Sequence, residues 1–385
     1  MNVLDKWLAA HGEELIAIRR DLHAHPEIAF DEYRTTRVIA ERLRGLGLAP
    51  AIPTGGTGVL CDIGTDGPLI ALRADIDALP IDDAKDVSYR STNPGACHAC
   101  GHDAHTTILL GAAAVLAGMD LPGRIRLIFQ PAEERIPGGA LGLIAAGAMK
   151  DVEAIFALHC DPRVDVGRIG LRVGPITAAC DTLDVALSGN GGHTGRPHLT
   201  VDIVYALGRL ITDLPGLLSR RVDPRASLSL VWGTVAAGNA PNAIPPEGLA
   251  RGTLRMLDHS VWDTAEPLVR QLVEEIVAPT GARAAIQYER GVPPVVNEPG
   301  AVEVQRAAVL AGFGPDALDE TVQSMGGEDF AWYLEHAPGA LARLGVRTPG
   351  AAASLDLHQS TFDIDEAAIA VGVRFTVHTV LAALA

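Results

Sequence analysis

Lysine is nearly missing from this chain: it occurs only at Lys6, Lys85 and Lys150, so arginine supplies most of the positive charge. That scarcity is a compositional bias before it is a functional sign. Positive charge as a whole is outnumbered, and a net charge of -16 repels phosphate backbones and argues against nucleic acid as a partner. Long hydrophobic runs are missing too. No apolar stretch reaches the roughly 18–20 residues of a membrane span. Residues 1–15 carry Asp5, Glu13 and Glu14 where a signal peptide would have its apolar core. A cytoplasmic protein without a membrane partner is therefore expected. The five cysteines, Cys61, Cys97, Cys100, Cys160 and Cys180, are odd in number and lack framework spacing, which predicts free thiols or metal ligands. A Gly-x-Ser-x-Gly elbow is absent, which counts against a serine hydrolase. Internal repeats and low-complexity tracts are absent as well.

What is there suffices for a large core. A chain of 385 residues, 48% hydrophobic and 20% charged, predicts a globular protein of two domains. Residues 4–20 and 35–46 read as amphipathic helices. The short apolar runs 58–62, 69–74, 125–129 and 154–158 read as strands, with helices at 106–117 and 140–146 between them. This alternation predicts an α/β layer fold. After Cys180 the pattern changes to four strands, at 181–188, 226–235, 248–254 and 284–289, with two helices near 200–213 and 260–277. That set predicts an inserted, open-faced α+β sandwich. The expected division is 1–180 and 292–385 for an α/β catalytic domain and 181–291 for the insertion. Pro293-Pro294 and Asn297-Glu298-Pro299 would form the return linker.

The segment Ala-Cys-Gly-His-Asp-Ala-His, 99–105, carries the strongest chemical signal. Thiolate and imidazole are preferred zinc ligands, and Gly101 lets the backbone turn Cys100 and His102 toward one point. Asp103 is placed to accept the other ring N–H of a ligand histidine. The bland readings are a buried small Cys100 and a Cys97/Cys100 redox pair. Against them, His98, His102, Asp103 and His105 crowd one loop. Glu133-Glu134 follows a strand and Pro131. Its bland reading is a solvated loop, and its functional reading is one metal ligand beside one general base. His159 and His358 are candidate further ligands. Asp75 and Asp77 are spaced to face the same way and to support the metal loop together.

These residues sit in ordered motifs along nearly the whole chain: Arg-Arg-Asp-Leu-His-Ala-His-Pro-Glu (19–27), Arg-Ala-Asp-Ile-Asp-Ala-Leu-Pro (73–80), His-Ala-Cys-Gly-His-Asp-Ala-His (98–105), Phe-Gln-Pro-Ala-Glu-Glu (129–134), Gly-Gly-His (191–193), Gly-Gly-Glu-Asp-Phe (326–330) and Leu-His (357–358). Together they resemble the dinuclear-metal aminoacylase and amidohydrolase family related to carboxypeptidase G, in the branch of hippurate hydrolase and the indole-acetyl-amino-acid hydrolases. The resemblance implies two divalent ions, zinc or manganese, with cobalt or nickel also accepted. It implies that Cys100 bridges them, with His102 and His159 on one and Glu134 and His358 on the other. Asp75 stands where carboxypeptidase relatives have a metal histidine. Glu133 is implied as general base and acid, Asp77 as a residue that orients the site from behind the ligands, and His193 as an oxyanion contact reaching across a homodimer or higher homo-oligomer. Asn242 resembles a contact for the substrate carboxylate, with Arg255 a weaker candidate for the same task. The implied reaction is hydrolysis of a small-molecule N-acyl amino acid, with a metallo-dipeptidase or carboxypeptidase as the alternative. This chain departs from many relatives at Thr194-Gly195-Arg196, Cys97 and Ser360.

Overall fold

The computed structural model describes residues 3–351 and 356–385. It divides into two compact units. One comprises Met1–Gly174, Val296–Val322 and Asp329–Ala385, and the other Pro175–Val295 with Gln323–Glu328. The second unit thus takes in Gln323–Glu328, a return segment that the expected 181–291 boundaries leave out.

The first unit is built on a seven-stranded mixed sheet. Its order is Val59–Ile63, Arg124–Gln130, Leu69–Asp75, Ala154–Asp165, Gly339–Arg347, Ile169–Leu171 and Leu318–Glu320. Leu69–Asp75 runs parallel to both Arg124–Gln130 and Ala154–Asp165, and the latter runs parallel to Gly339–Arg347. Central parallel strands are covered on both faces and so read as continuous apolar runs. Every residue of Leu69–Asp75 is buried, including Arg73 and Asp75. The helices Val3–Ala24, His102–Leu116, Pro299–Gly312 and Ala367–Ala383 pack into this core.

Two boundaries differ from the sequence reading, and both bear on the candidate site. The helix expected at 106–117 begins at His102, so His102, Asp103 and His105 lie in its first turns. The strand that the apolar run 154–158 announces continues to Asp165, which leaves His159 inside it, paired with Arg343. The periodic signal stops at Leu158 because the chain beyond it carries polar side chains while keeping its backbone ladder.

The second unit is a four-stranded antiparallel sheet ordered Arg283–Val292, Ala179–Ser188, Glu247–Met256 and Ser229–Ala237. Along Ala179–Ser188 the buried residues Leu183, Val185 and Leu187 alternate with more exposed ones, as expected where one face meets helices. The helices are Ile203–Arg221 and His259–Val277. The first runs past the expected end near 213 and carries Pro215 inside it. Proline removes one helical hydrogen bond, and the buried stripe Leu207, Leu210, Leu214 and Leu218 outweighs that loss.

Candidate metal centre

Open α/β sheets place their sites at the carboxyl ends of the strands. Here Leu69–Asp75 ends in Asp75 and delivers Asp77. Arg124–Gln130 ends at Pro131 and delivers Glu133 and Glu134. His159 comes from the neighbouring strand. Cys100 precedes the helix His102–Leu116, and Gly101 at the junction has φ +89°, where a Cβ would meet the Cys160 sulfur at 2.9 Å. Only glycine fits that turn. The His358 N–H donates to the Ala99 carbonyl at 2.8 Å, which fastens the C-terminal segment to the same loop.

The side chains converge in two groups that share one sulfur. Ligand atoms of Cys100, His102 and His159 lie within 4.8 Å of one another, and so do those of Cys100, Glu134 and His358. His102, Glu133 and Glu134 form an overlapping trio, with Glu133 Oε2 4.0 Å from His102 Nε2. His159 Nε2 lies 3.5 Å from Cys100 Sγ, and His358 Nε2 lies 3.2 Å from Glu134 Oε1.

The tautomers follow from what each ring does on its far side. His102 uses Nδ1 against the Asp77 carbonyl at 3.0 Å and the Asp77 carboxylate at 3.2 Å. His159 uses Nδ1 against the Cys160 carbonyl at 2.8 Å. A proton on Nδ1 in each case leaves the Nε2 lone pair aimed at Cys100. His102 Nε2 is buried without a hydrogen-bond partner among the described residues, as expected of a ligand atom. His105, also in the motif, has both ring nitrogens engaged, with Asp75 Oδ1 and with the Cys160 N–H at 2.8 Å. It supports the site and is not available to an ion.

The electrostatics point the same way. Burial pushes the Cys100 thiol well above its ordinary value, and the Glu134 and Glu133 carboxylates add to that. Burial lowers His102, but Asp75, Asp77 and Glu134 outweigh it and push the imidazole up to about 10. The hydrogen bond to Glu134 raises His358 against the effect of burial. The donor set of thiol, imidazole and carboxylate suits divalent cations.

Asp103 does not serve a ligand histidine. It accepts from Arg19 Nε and contacts His23 Nδ1, both at 2.7 Å, on the far side of the helix start. Burial raises its carboxyl, but Arg19 and His23 hold it well below the ordinary range. The role expected of Asp103 falls to Asp77, which also accepts the Glu134 N–H at 3.0 Å. Asp75 is held by Arg73 at 2.6 Å and by His105. Arg73 in turn reaches Asp329 at 2.8 Å, and Asp329 accepts from Gln130. Arg73 and Asp329 therefore lie one layer behind the candidate ligands. A lone arginine inside the apolar run Leu-Ile-Ala-Leu-Arg-Ala-Asp was the sequence signal for this layer.

A second gathering of metal-type groups, His23, Asp83 and Cys97, is buried in the same unit. Lys85 places its ammonium 2.9 Å from Asp83 and 3.5 Å from Cys97, so this cluster already holds a cation. Cys97 and Cys100 thus face different partners, and all five cysteines are free thiols.

In the second unit, His193 and Asn242 come together. Gly192–His193 pairs with Ala243–Ile244, and the Thr194 N–H donates to the Asn242 carbonyl at 3.2 Å. Arg255 is not with them. It stands in register with Cys180, at the opposite end of its strand from Glu247, and its guanidinium donates to the Met325 carbonyl.

Comparison with known proteins gives the family. The sequence matches the description Peptidase family M20/M25/M40 over residues 71–382. A protein of Rhodococcus jostii, whose name proposes a glutamate–cysteine ligase 2-3, is 51% identical over 363 residues, or 94% of this chain; the chain spans only 46% of that longer relative. An N-acetyl-L-cysteine deacetylase of Bacillus subtilis is 39% identical, with 94% of this chain and 86% of the relative covered. The crystal structure of a dinuclear metal-binding peptidase of the M20 family from Bacillus subtilis matches with a TM-score of 0.85 at 33% identity, covering 98% of this chain and 99% of the other. With the family matched over most of the sequence and the fold shared from end to end, this chain belongs to peptidase family M20/M25/M40.

Proposed function

We propose that this protein is a metal-dependent amidohydrolase that cleaves N-acyl amino acids to a carboxylic acid and a free amino acid. The observation that carries this reading is the pair of ligand groups sharing Cys100, with Glu133 at their edge. Two divalent cations would be held by Cys100, His102 and His159 on one side and by Cys100, Glu134 and His358 on the other. When bound, they supply Lewis-acid polarisation of the amide carbonyl and make water a better nucleophile near neutral pH. Soft thiol and imidazole donors favour zinc; the carboxylates also suit manganese, and cobalt or nickel fit the same set.

The chain's own residues carry the proton. Glu133 accepts it from the attacking water as the C–O bond forms. Glu133 then delivers it to the amide nitrogen as the C–N bond breaks, and the amine leaves neutral. Asp77 fixes the His102 ring and the Glu134 backbone, so both present their donors without rearrangement. We assign the oxyanion contact to His193 and the substrate carboxylate contact to Asn242. Their adjacency supports this assignment: His193 pairs with Ala243, and the Thr194 N–H bonds to the Asn242 carbonyl. Arg255 is the weaker choice, because its guanidinium is committed to Met325.

A homodimer also belongs to this reading. Ser229–Ala237 is an outer strand of its sheet and exposes Val231 and Val235, an edge that proteins ordinarily cover. Five free thiols suit a reducing compartment such as the cytoplasm. Among the described residues no helix is long and apolar enough to cross a membrane.

Assay of N-acetyl, N-benzoyl and longer N-acyl amino acids beside dipeptides, with and without chelator, tests the proposal. Chelator-sensitive release of amino acid from the acyl series is the expected result. Hydrolysis confined to dipeptides would replace it with the peptidase reading that the same site can serve.

A further inference from the structure

Glu32 stands at the N-cap of the helix Tyr33–Gly45, where a carboxylate ordinarily caps its own helix. It does not cap this one. Glu27 does so from the preceding turn, accepting the N–H groups of Arg34 at 2.9 Å and Thr35 at 2.7 Å. The Glu32 side chain is thereby released, and it turns into the interior. It is fully buried, and its Oε1 accepts the Ala132 N–H at 2.8 Å, a contact made across 100 positions of sequence.

Ala132 is the residue before Glu133, and its backbone has φ +55°. A left-handed alanine is strained, and such a residue persists only where its surroundings hold it. Here the hold is double. Glu32 takes its N–H, and its carbonyl accepts the Gly139 N–H at 3.0 Å. Gly139 is itself confined, because a Cβ there would meet the Pro131 carbonyl oxygen at 2.0 Å. The left-handed turn redirects the chain between Pro131 and Glu133, so the direction of Glu133 depends on it, whereas Asp77 holds the Glu134 amide at 3.0 Å.

We propose that Glu32 is a positioning residue for the reaction: by anchoring the Ala132 amide it holds the strained turn that aims Glu133. This inference rests on the proton-transfer role given to Glu133 above. Two further observations support it. The second Glu32 oxygen, Oε2, is buried without a hydrogen-bond partner among the described residues. Burial raises its carboxyl to about 7, with the Asp77 charge contributing. A buried acid with an unsatisfied oxygen is a poor choice for stability alone, and local costs of this kind mark functional constraints.

The test compares Glu32→Ala and Glu32→Gln with wild type by amide hydrogen exchange over residues 131–139, by metal content, and by kcat and KM. Gln keeps the acceptor oxygen and Ala removes it. Glu32→Ala is expected to lose protection in that segment and to lower kcat by roughly 10–100-fold. KM and metal content should stay near wild type. Glu32→Gln is expected to restore the protection and most of kcat. If the alanine variant does not fold, Glu32→Met fills the space without the acceptor and takes its place. Unchanged exchange and kcat in the variant lacking the acceptor would overturn the proposal, as would a Gln variant as impaired as Ala, or loss of metal in step with loss of activity. If wild type hydrolyses no acyl amino acid, the proposed function fails. The exchange data then decide the anchoring role alone: protection lost in Ala and regained in Gln supports it, and protection kept in Ala refutes it.

Discussion

His102 shows how much of this site is decided by what happens behind a side chain. Asp77 fixes its Nδ1, its Nε2 faces Cys100, and surrounding carboxylates hold the ring protonated when no cation is present. Cys100 is likewise kept as a thiol by burial and by Glu134 and Glu133. Both must give up protons to become ligands. Metal uptake by the metal-free protein is therefore expected to release protons, and affinity is expected to rise with pH across the neutral range. Calorimetry in buffers of different ionisation enthalpy measures this, and uptake without proton release would count against Cys100 and His102 as ligands. Glu32 gives a second pH signature. Its folded carboxyl is raised to about 7 from an ordinary 4.5, so ionisation costs the folded state. The penalty is absent below about pH 4.5 and complete above about pH 7, and at 1.36 kcal/mol per pKa unit it approaches about 3 kcal/mol. In metal-free protein, Glu32→Gln should gain on wild type in thermal stability as pH rises from 5 to 8. A gap that stays constant with pH would show that the carboxyl titrates normally.

At the scale of elements, the three central strands do the positioning, and a buried ionic layer ties their ends. Arg73 joins Asp75 to Asp329 with no solvent to share the charge. Removing one member of such a network strands the others, and Arg73→Ala is expected to cost about 3–5 kcal/mol in denaturant unfolding. A loss under about 1 kcal/mol would mean that the layer is not a network. The elements differ in how far the sequence announces them. Leu69–Asp75 and Arg124–Gln130 read as apolar runs because both of their faces are covered. The cysteine–histidine motif is local and carries its chemistry in adjacent letters. What the letters could not show is long-range pairing. Asp103 looks like a support for His102 from its place beside it, yet the helix start turns it to Arg19 and His23. Nothing in the sequence marks Glu32, whose bond to the Ala132 N–H spans 100 positions. Asp329 sits in a recognisable motif, but its bond to Arg73 joins positions that only the folded sheet brings together.

Across the whole molecule, the two units carry different parts of the proposed chemistry. The first holds the candidate ligands and Glu133, and the second presents His193 beside Asn242. The open strand Ser229–Ala237 is the candidate surface for a second copy. Val231→Glu with Val235→Glu should shift a dimer to monomer in sedimentation velocity, and an unchanged sedimentation coefficient would exclude that edge. The most direct test of the account is Glu133→Gln, with turnover of the best N-acyl amino acid and bound metal measured on the same preparation. The account predicts full metal content with kcat lowered by roughly 10²–10⁴-fold. A variant that keeps wild-type turnover with its metal in place would contradict it, because the proton would then travel by a route that Glu133 does not serve.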